Sequence, residues 1–404
     1  MKTGLFLVAA ATLTAFAACN KSTPKTWDEL AVENAYAQIG MQIDTIESLE
    51  GPFHNPTSLK TDGSVLYCDV TDWRSGFFPG TVWYLYELTG DSTLIPLARK
   101  YTEAISDAQY LKWHHDVGFM VGSSFGNGYR LTGDPAYADA VIEGARSLST
   151  RFRPKAGIIQ SWDVEPGSER EARGWSCPVI IDNMMNLELL FEATRLSGDS
   201  SFYDFAVKHA DRTLKEHFRP DGSCFHVIDY DSISGGVNHR HTAQGAAHSS
   251  AWSRGQAWAI YGYTVAYRET GNKAYLDRAT GTFEFMRHHP NMPADLVPYW
   301  DMDAPGIPDE PRDASSAAVM ASALYELSSM PATADSAAVY KQYADSIMRS
   351  LSSPEYTAAL GENGRFILKH SVTSLPANVE IDVPLNYADY YYLEALKRRR
   401  DLGK

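Results

Sequence analysis

The sequence predicts an all-α protein whose helix pairs close on one another as an α/α toroid. Three observations predict it. A phrase made of an apolar helix, a Gly-Asp or Gly-Asn stop and an amphipathic helix recurs along the chain. The first helix of each copy is more apolar than the second, as inner and outer helices of a ring should be. No long strand-like alternation runs between the copies.

Taken in order, the chain opens with MKTGLFLVAAATLTAFAACN, where Lys2 precedes an apolar run from Gly4 to Ala18. The run is too short and too rich in small residues to span a membrane, and it fits a signal peptide. Phe16-Ala17-Ala18-Cys19 resembles a bacterial lipobox, in which Cys19 becomes the lipidated N-terminus. An ordinary signal with a chance cysteine is the alternative. The expected organisation is a lipoprotein signal peptide at 1–18, a polar tether at 19–27 and one α/α domain at 28–404. The expected location is an exported, periplasmic or membrane-anchored protein that meets the membrane only through its lipid.

The phrase first appears as VWYLYELTGDSTLIPLARKYTEAI from Val82 and returns as SSFGNGYRLTGDPAYADAVIEGARSL from Ser123. A third copy starts at Asn186 and a fourth at Ala257. Gly90, Gly133, Gly198 and Gly271 stop each first helix in the left-handed conformation. Asp91, Asp134, Asp199 and Asn272 follow at the position of an N-cap. Less regular pairs follow, Ser315–Leu327 with Ala337–Leu351, and then Asn386–Arg400. Repeating pairs bury their apolar faces on neighbours, either in an open solenoid or in a closed ring of about six pairs. First helices such as Ala257–Ala266, with Gly262 inside, are small and apolar and favour the ring. The long Gly/Pro/aromatic connections, Phe152–Pro178 and Phe218–Ala251, would gather at one end and build a site.

Composition narrows the function. The chain has 404 residues, of which 44% are hydrophobic, so a large core can be buried. A net charge of −14 argues against nucleic acid as a partner. An anionic substrate would need local positive groups. Cys68, Cys177 and Cys224 remain after Cys19, and no pair of them has metal spacing. His239, His241 and His248 lie in a Gly-rich loop without a carboxylate at ligand spacing, so no metal is expected. There is no phosphate-binding loop.

Four clusters carry chemistry: Asp72–Gly80, Trp113–Phe119, Ile180–Asn186 and Ser249–Trp258. Each places aromatic and ionisable groups just before an apolar helix, the combination a sugar site needs. Their tryptophans could equally be packing residues, and Asp116 and Asp182 could be helix caps. Asp182 stands between Val179-Ile180-Ile181 and Met184-Met185. It is either an N-cap or an acid whose apolar setting holds its proton for transfer.

The runs W-R-S-G-F-F-P-G, H-H-D-V-G-F, I-I-D-N-M-M-N-L, D-G-S-C-F-H and W-S-R-G-Q-A-W resemble, in order, the unsaturated glucuronyl hydrolases of glycoside hydrolase family 88. The resemblance covers nearly the whole mature chain. It implies an (α/α)6 six-hairpin barrel without metal or organic cofactor. It implies as partner an oligosaccharide left by a polysaccharide lyase, with a C4=C5 double bond in its terminal uronate. Asp182 matches the general acid/base and Asp116 the second essential carboxylate. His115 matches its neighbour, and Trp73 and Trp258 the aromatic walls. His226, Gln244 and Arg254 match the polar residues around the unsaturated ring, with Arg254 the candidate for fixing the anion.

The chain departs from the family pattern in two places. Thr242-Ala243-Gln244-Gly245 lacks the usual histidine of Thr-His-Gln-Gly, and His248 stands where an acid is usual. Ser374–Val379 lacks the second Ser and the Lys of a Ser-x-x-Ser-x-Lys run linked with reading the second sugar. The first-ring chemistry is therefore better supported than any choice of aglycone, linkage or sulfation. Alternatives are an unsaturated rhamnogalacturonyl hydrolase, an ordinary two-carboxylate glycosidase on the same toroid, or a non-catalytic glycan-binding lipoprotein. The sequence sets no oligomeric state.

Overall fold

In the computed structural model, which describes residues 24–403, six helix pairs close into a ring. The helices are α1 (Trp27–Ser48), α2 (Phe77–Thr89), α3 (Leu94–Glu103), α4 (Asn127–Thr132), α5 (Pro135–Ser149) and the single turn α6 (Glu169–Ala172). They continue with α7 (Leu187–Ser197), α8 (Ser200–Glu216), α9 (Ser253–Thr270), α10 (Lys273–His288), α11 (Ala314–Ser329), α12 (Ala337–Leu351) and α13 (Asn386–Asp401). A π-helical segment, Gly118–Gly126, runs straight into α4.

The inner ring runs α2, π-segment with α4, α7, α9, α11 and α13, and α13 packs back on α2. That last contact decides for a closed toroid over an open solenoid. The sixth pair joins the two ends of the chain: α13 is inner and α1 packs outside it and α2. The inner helix α11, Ala- and Ser-rich, is buried along nearly its whole length. Outer helices such as α8 bury one stripe only.

The glycine stops are as expected. Gly90, Gly133, Gly198 and Gly271 are left-handed C-caps with φ of 73°, 69°, 73° and 68°. Asp134, Asp199 and Asn272 accept the N–H two residues on and start α5, α8 and α10. Asp91 differs: it accepts from Thr93 and shapes a turn, and α3 begins only at Leu94.

The long connections hold short antiparallel strands that the repeat did not announce. β1 (Asn55–Leu59) pairs with β2 (Val65–Cys68), and β3 (Phe152–Arg153) with β4 (Ile158–Ile159). β5 (Cys177–Ile180), β6 (Val227–Tyr230) and β7 (Val237–His241) form a three-stranded sheet, and β8 (Ser371–Ser374) pairs with β9 (Val379–Val383). They lie at the N-terminal ends of the inner helices. The signal segment, Cys19 and the first part of the tether fall outside the described residues. Among the described residues no helix is long and apolar enough to cross a membrane.

Candidate active site

The β5–β6–β7 sheet delivers two of the site residues. Ile180 faces Val227 in register, and the ladder extends one step further, with Ile181 N–H donating to the His226 carbonyl at 3.0 Å. Asp182 and His226 therefore leave the sheet at the same end, and His226 Nε2 lies 3.8 Å from Asp182 Oδ2. Val227 in turn faces His241, so the chain beyond β7 wraps over His226. The N–H groups of Ala243 and Gln244 point at His226 Nδ1, at 3.1 and 3.2 Å. Two donors on Nδ1 make it an acceptor and leave the ring proton on Nε2, facing Asp182. Burial, with the Arg254 charge, pushes the pKa of His226 well below 6.5, so it is a neutral donor.

Asp182 lies in the first turn of a 3-10 segment, Ile181–Asn186, that leads into α7. Its side chain caps neither that segment nor α7, and Oδ2 has no hydrogen-bond partner. The capping alternative thus falls away. Burial raises its pKa from 3.8 to about 7, against the lowering pull of Arg254 and Trp258. The Trp258 indole acts on the carboxylate, yet the two do not meet at full hydrogen-bond geometry. Such loose contacts are usual before substrate tightens a site.

Asp116 enters from the opposite wall, two residues before the π-segment. His115 Nε2 lies 3.2 Å from its Oδ2, and Asn186 Nδ2 donates to its Oδ1 at 3.1 Å. Asn186 also accepts from Phe119 N–H at 3.1 Å, which ties the π-segment to the Asp182 turn. Gly118 makes that approach possible, because a Cβ there would come within 2.6 Å of Asn186 Oδ1. Burial, then the Asp182 charge, pushes Asp116 well above 3.8. Two buried acids that repel each other titrate as a pair and keep a proton near neutral pH. His114, His115 and Asp116 bring ligand atoms within 4.8 Å of one another. His114 Nδ1 already accepts the Asp116 N–H, and Asp116 Oδ1 the Asn186 amide, so the trio is engaged in its own hydrogen bonds.

The family model for Glycosyl Hydrolase Family 88 matches residues 56–403 of this chain. The chain belongs to family 88. A Formosa agariphila protein described as an unsaturated glucuronyl hydrolase is 49% identical over 332 residues, 82% of this chain and 80% of its own. A Streptococcus agalactiae unsaturated chondroitin disaccharide hydrolase is 32% identical over 375 residues, covering 92% of this chain and 90% of its own. The crystal structure of an unsaturated glucuronyl hydrolase specific for heparin superposes with a TM-score of 0.88 at 46% identity, over 93% of this chain and 98% of that one.

Within this family-88 fold, Arg254 and Trp258 are both enclosed by protein. Arg254 is only 1% exposed. It pairs with Asp313 at 2.9 Å and donates to the carbonyls of Val372 and Thr373. This guanidinium holds β8 against α9 and lowers the pKa of Asp182, with three of its donors engaged by Asp313, Val372 and Thr373. Trp258 is fully buried, so it presents its N–H to Asp182 and offers no open stacking face. Trp73 remains half-buried against Tyr387 and Phe119 and can serve as a wall. Gln244 caps His226 through its backbone, while its side chain donates to the Thr373 carbonyl at 2.8 Å.

Sequence reasoning assigned no role to Asn186, Trp162 or Trp252. Asn186 lies inside the I-I-D-N-M-M-N-L run, where an amide between apolar residues was the available signal. Trp162 stands edge-on to both His115 and His226, 6.2 Å from each, and stacks on Trp175 at 5.9 Å. Trp252 packs on His226 at 4.5 Å. Trp162 lies in the irregular connection Phe152–Pro178, where no repeat marks it, whereas Trp252 opens the W-S-R-G-Q-A-W run and stands at the N-cap of α9.

Proposed function

We propose that this protein hydrolyses oligosaccharides ending in a 4,5-unsaturated uronate, by hydration of the C4=C5 vinyl ether with Asp182 as general acid/base. One observation carries the reading: a buried carboxyl, Asp116, and a largely enclosed one, Asp182, both with raised pKa values, share one end of the toroid with a neutral histidine whose proton points at Asp182. An ordinary glycosidase needs one carboxylate ionised as nucleophile or base. A vinyl ether needs only an acid that still holds its proton near neutral pH.

The steps balance. Asp182 gives its proton to C4, and positive charge develops at C5 and the ring oxygen. Water adds to C5 while the Asp182 carboxylate takes its proton. The resulting hemiketal opens to a C5 ketone, and the hemiacetal left at C1 releases the neighbouring sugar with its glycosidic oxygen. His226 Nε2–H steadies Asp182 while it is ionised, and the Asp182 charge raises the cost of ionising Asp116 beside it. Trp73 and Trp162 supply ring faces.

The test is product labelling. In heavy water, deuterium should appear at C4, and solvent oxygen should enter at C5. Label at C1 with none at C4 would overturn the mechanism. A saturated disaccharide of the same sugars should be inert, whereas the unsaturated one should lose its ultraviolet absorbance. Lipidation at Cys19 and anchoring to a membrane are part of the same proposal, resting on the residues before Cys19.

A further inference from the structure

An anionic substrate entering an acidic protein needs a cation at the cleft, and Arg254 is tied to Asp313. The other arginines around the cleft are committed too. Arg74 pairs with Asp72 and Glu380, Arg151 with Asp163, and Arg173 with Glu169. Arg170 differs. Among the described residues no carboxylate reaches ion-pair distance of it, and its one hydrogen bond goes from Nη1 to the Asp163 carbonyl at 3.1 Å. Asp163 and Glu169 act on it only from further off.

Its position is fixed. The guanidinium lies over the Trp162 ring, 5.0 Å from the centroid. The strap from Trp162 to Trp175 is held at both ends. Gln160 Nε2 donates to the Trp162 carbonyl at 2.9 Å, and Arg173 Nη1 donates to the Thr242 carbonyl at 3.1 Å. Arg173 also stacks on Trp175, so the strap carries two cation–aromatic pairs side by side. Trp162, at the start of the strap, stands 6.2 Å from both His115 and His226, which places the strap beside the site. A guanidinium held over an indole face can still offer N–H donors to an oxyanion.

We propose that Arg170 is a specificity-determining residue that docks an oxyanion of the substrate, a carboxylate or a sulfate ester, with Trp162 as its platform. The proposal rests on the substrate class argued above. Its test does not depend on turnover: calorimetry on the full chain carrying Asp182→Asn, with and without Arg170→Gln, against an unsaturated disaccharide and its sulfated counterpart. Arg170→Gln should weaken binding about tenfold, the worth of one charge-assisted hydrogen bond. Arg170→Lys should recover part of it. An equal loss on both ligands assigns the carboxylate; a loss confined to the sulfated ligand assigns the sulfate. Affinity in the Arg170 form should also fall more steeply with salt than in the Arg170→Gln form. Unchanged affinity and salt dependence after Arg170→Gln would overturn the proposal. Failure of the Asp182-intact protein to consume either disaccharide would instead strike the proposed function.

Discussion

The alkaline limb of the pH–rate profile should belong to Asp182. Its carboxyl titrates at about 7. About ten protonated molecules then stand against each ionised one at pH 6, and the ratio inverts at pH 8. A general acid works only while it holds its proton, so kcat/KM should fall about tenfold between those values. Trp258→Phe tests the cause, because it keeps the buried ring and removes the N–H that favours the ionised form. A hydrogen bond to a charged group contributes about 1.5 kcal/mol, or about one pH unit. The contact is loosely aligned, so that figure is an upper bound, and the limb should move up toward 8. Stability follows the same proton. An acid whose pKa is raised on folding favours the folded state while protonated. That contribution is complete below 3.8 and is lost as pH rises through about 7. Asp182→Asn should therefore flatten the decline in urea-melt stability across this window. An alkaline limb near pH 4 to 5, or one that Trp258→Phe leaves in place or moves down, would refute the reasoning.

Three further outcomes are expected. Asp182→Asn should cut kcat by about a hundred- to ten-thousand-fold while ligand binding by calorimetry persists, because the amide fits the site and cannot give a proton. Arg254→Met should leave Asp313 buried without its partner and destabilise the fold by about 3–5 kcal/mol in urea melts; a normal melt would mean that the pair is dispensable. Cys19→Ser should move the protein from the membrane fraction to the soluble fraction or leave an unprocessed precursor, and mass spectrometry of the mature N-terminus decides.

The ring was legible because its signals are local. Gly198 followed by Asp199 ends one helix and starts the next through contacts within a few residues, so the sequence alone exposes them. The sixth pair was half-legible: Asn386–Arg400 read as a helix, but its partner α1 lies at the other end of the chain and shares no turn with it. The site was legible in its acids and not in its supports. Asp182 stood out as a charge among apolar residues. What places His226 beside it is the β5–β6 register, a pairing of two short strands more than forty positions apart, with the whole α7–α8 pair between them, that no period announces. The ion pair of Arg254 was hidden for the same reason: its partner Asp313 caps the start of another helix, far from the W-S-R-G-Q-A-W run.

The same geometry settles how an acid can stay protonated in this site. All six inner segments present their N-terminal ends to the cleft, with Phe77, Gly118, Leu187, Ser253, Ala314 and Asn386 as first residues. Helix N-termini favour negative charge by about 0.3–1 kcal/mol each and fade within a turn. Taken alone, they would lower the pKa of Asp182. Its rise from 3.8 to about 7 corresponds to roughly 4 kcal/mol in the other direction. Desolvation therefore outweighs the helix ends at the acid, where the sheet and Trp258 exclude water. At the wetter mouth desolvation weakens, and the fields of the helix ends and of Arg170 act together on an incoming anion. The toroid thus separates two demands that conflict at a single point: a dry wall that keeps the proton on Asp182, and a positive rim that draws the uronate to it.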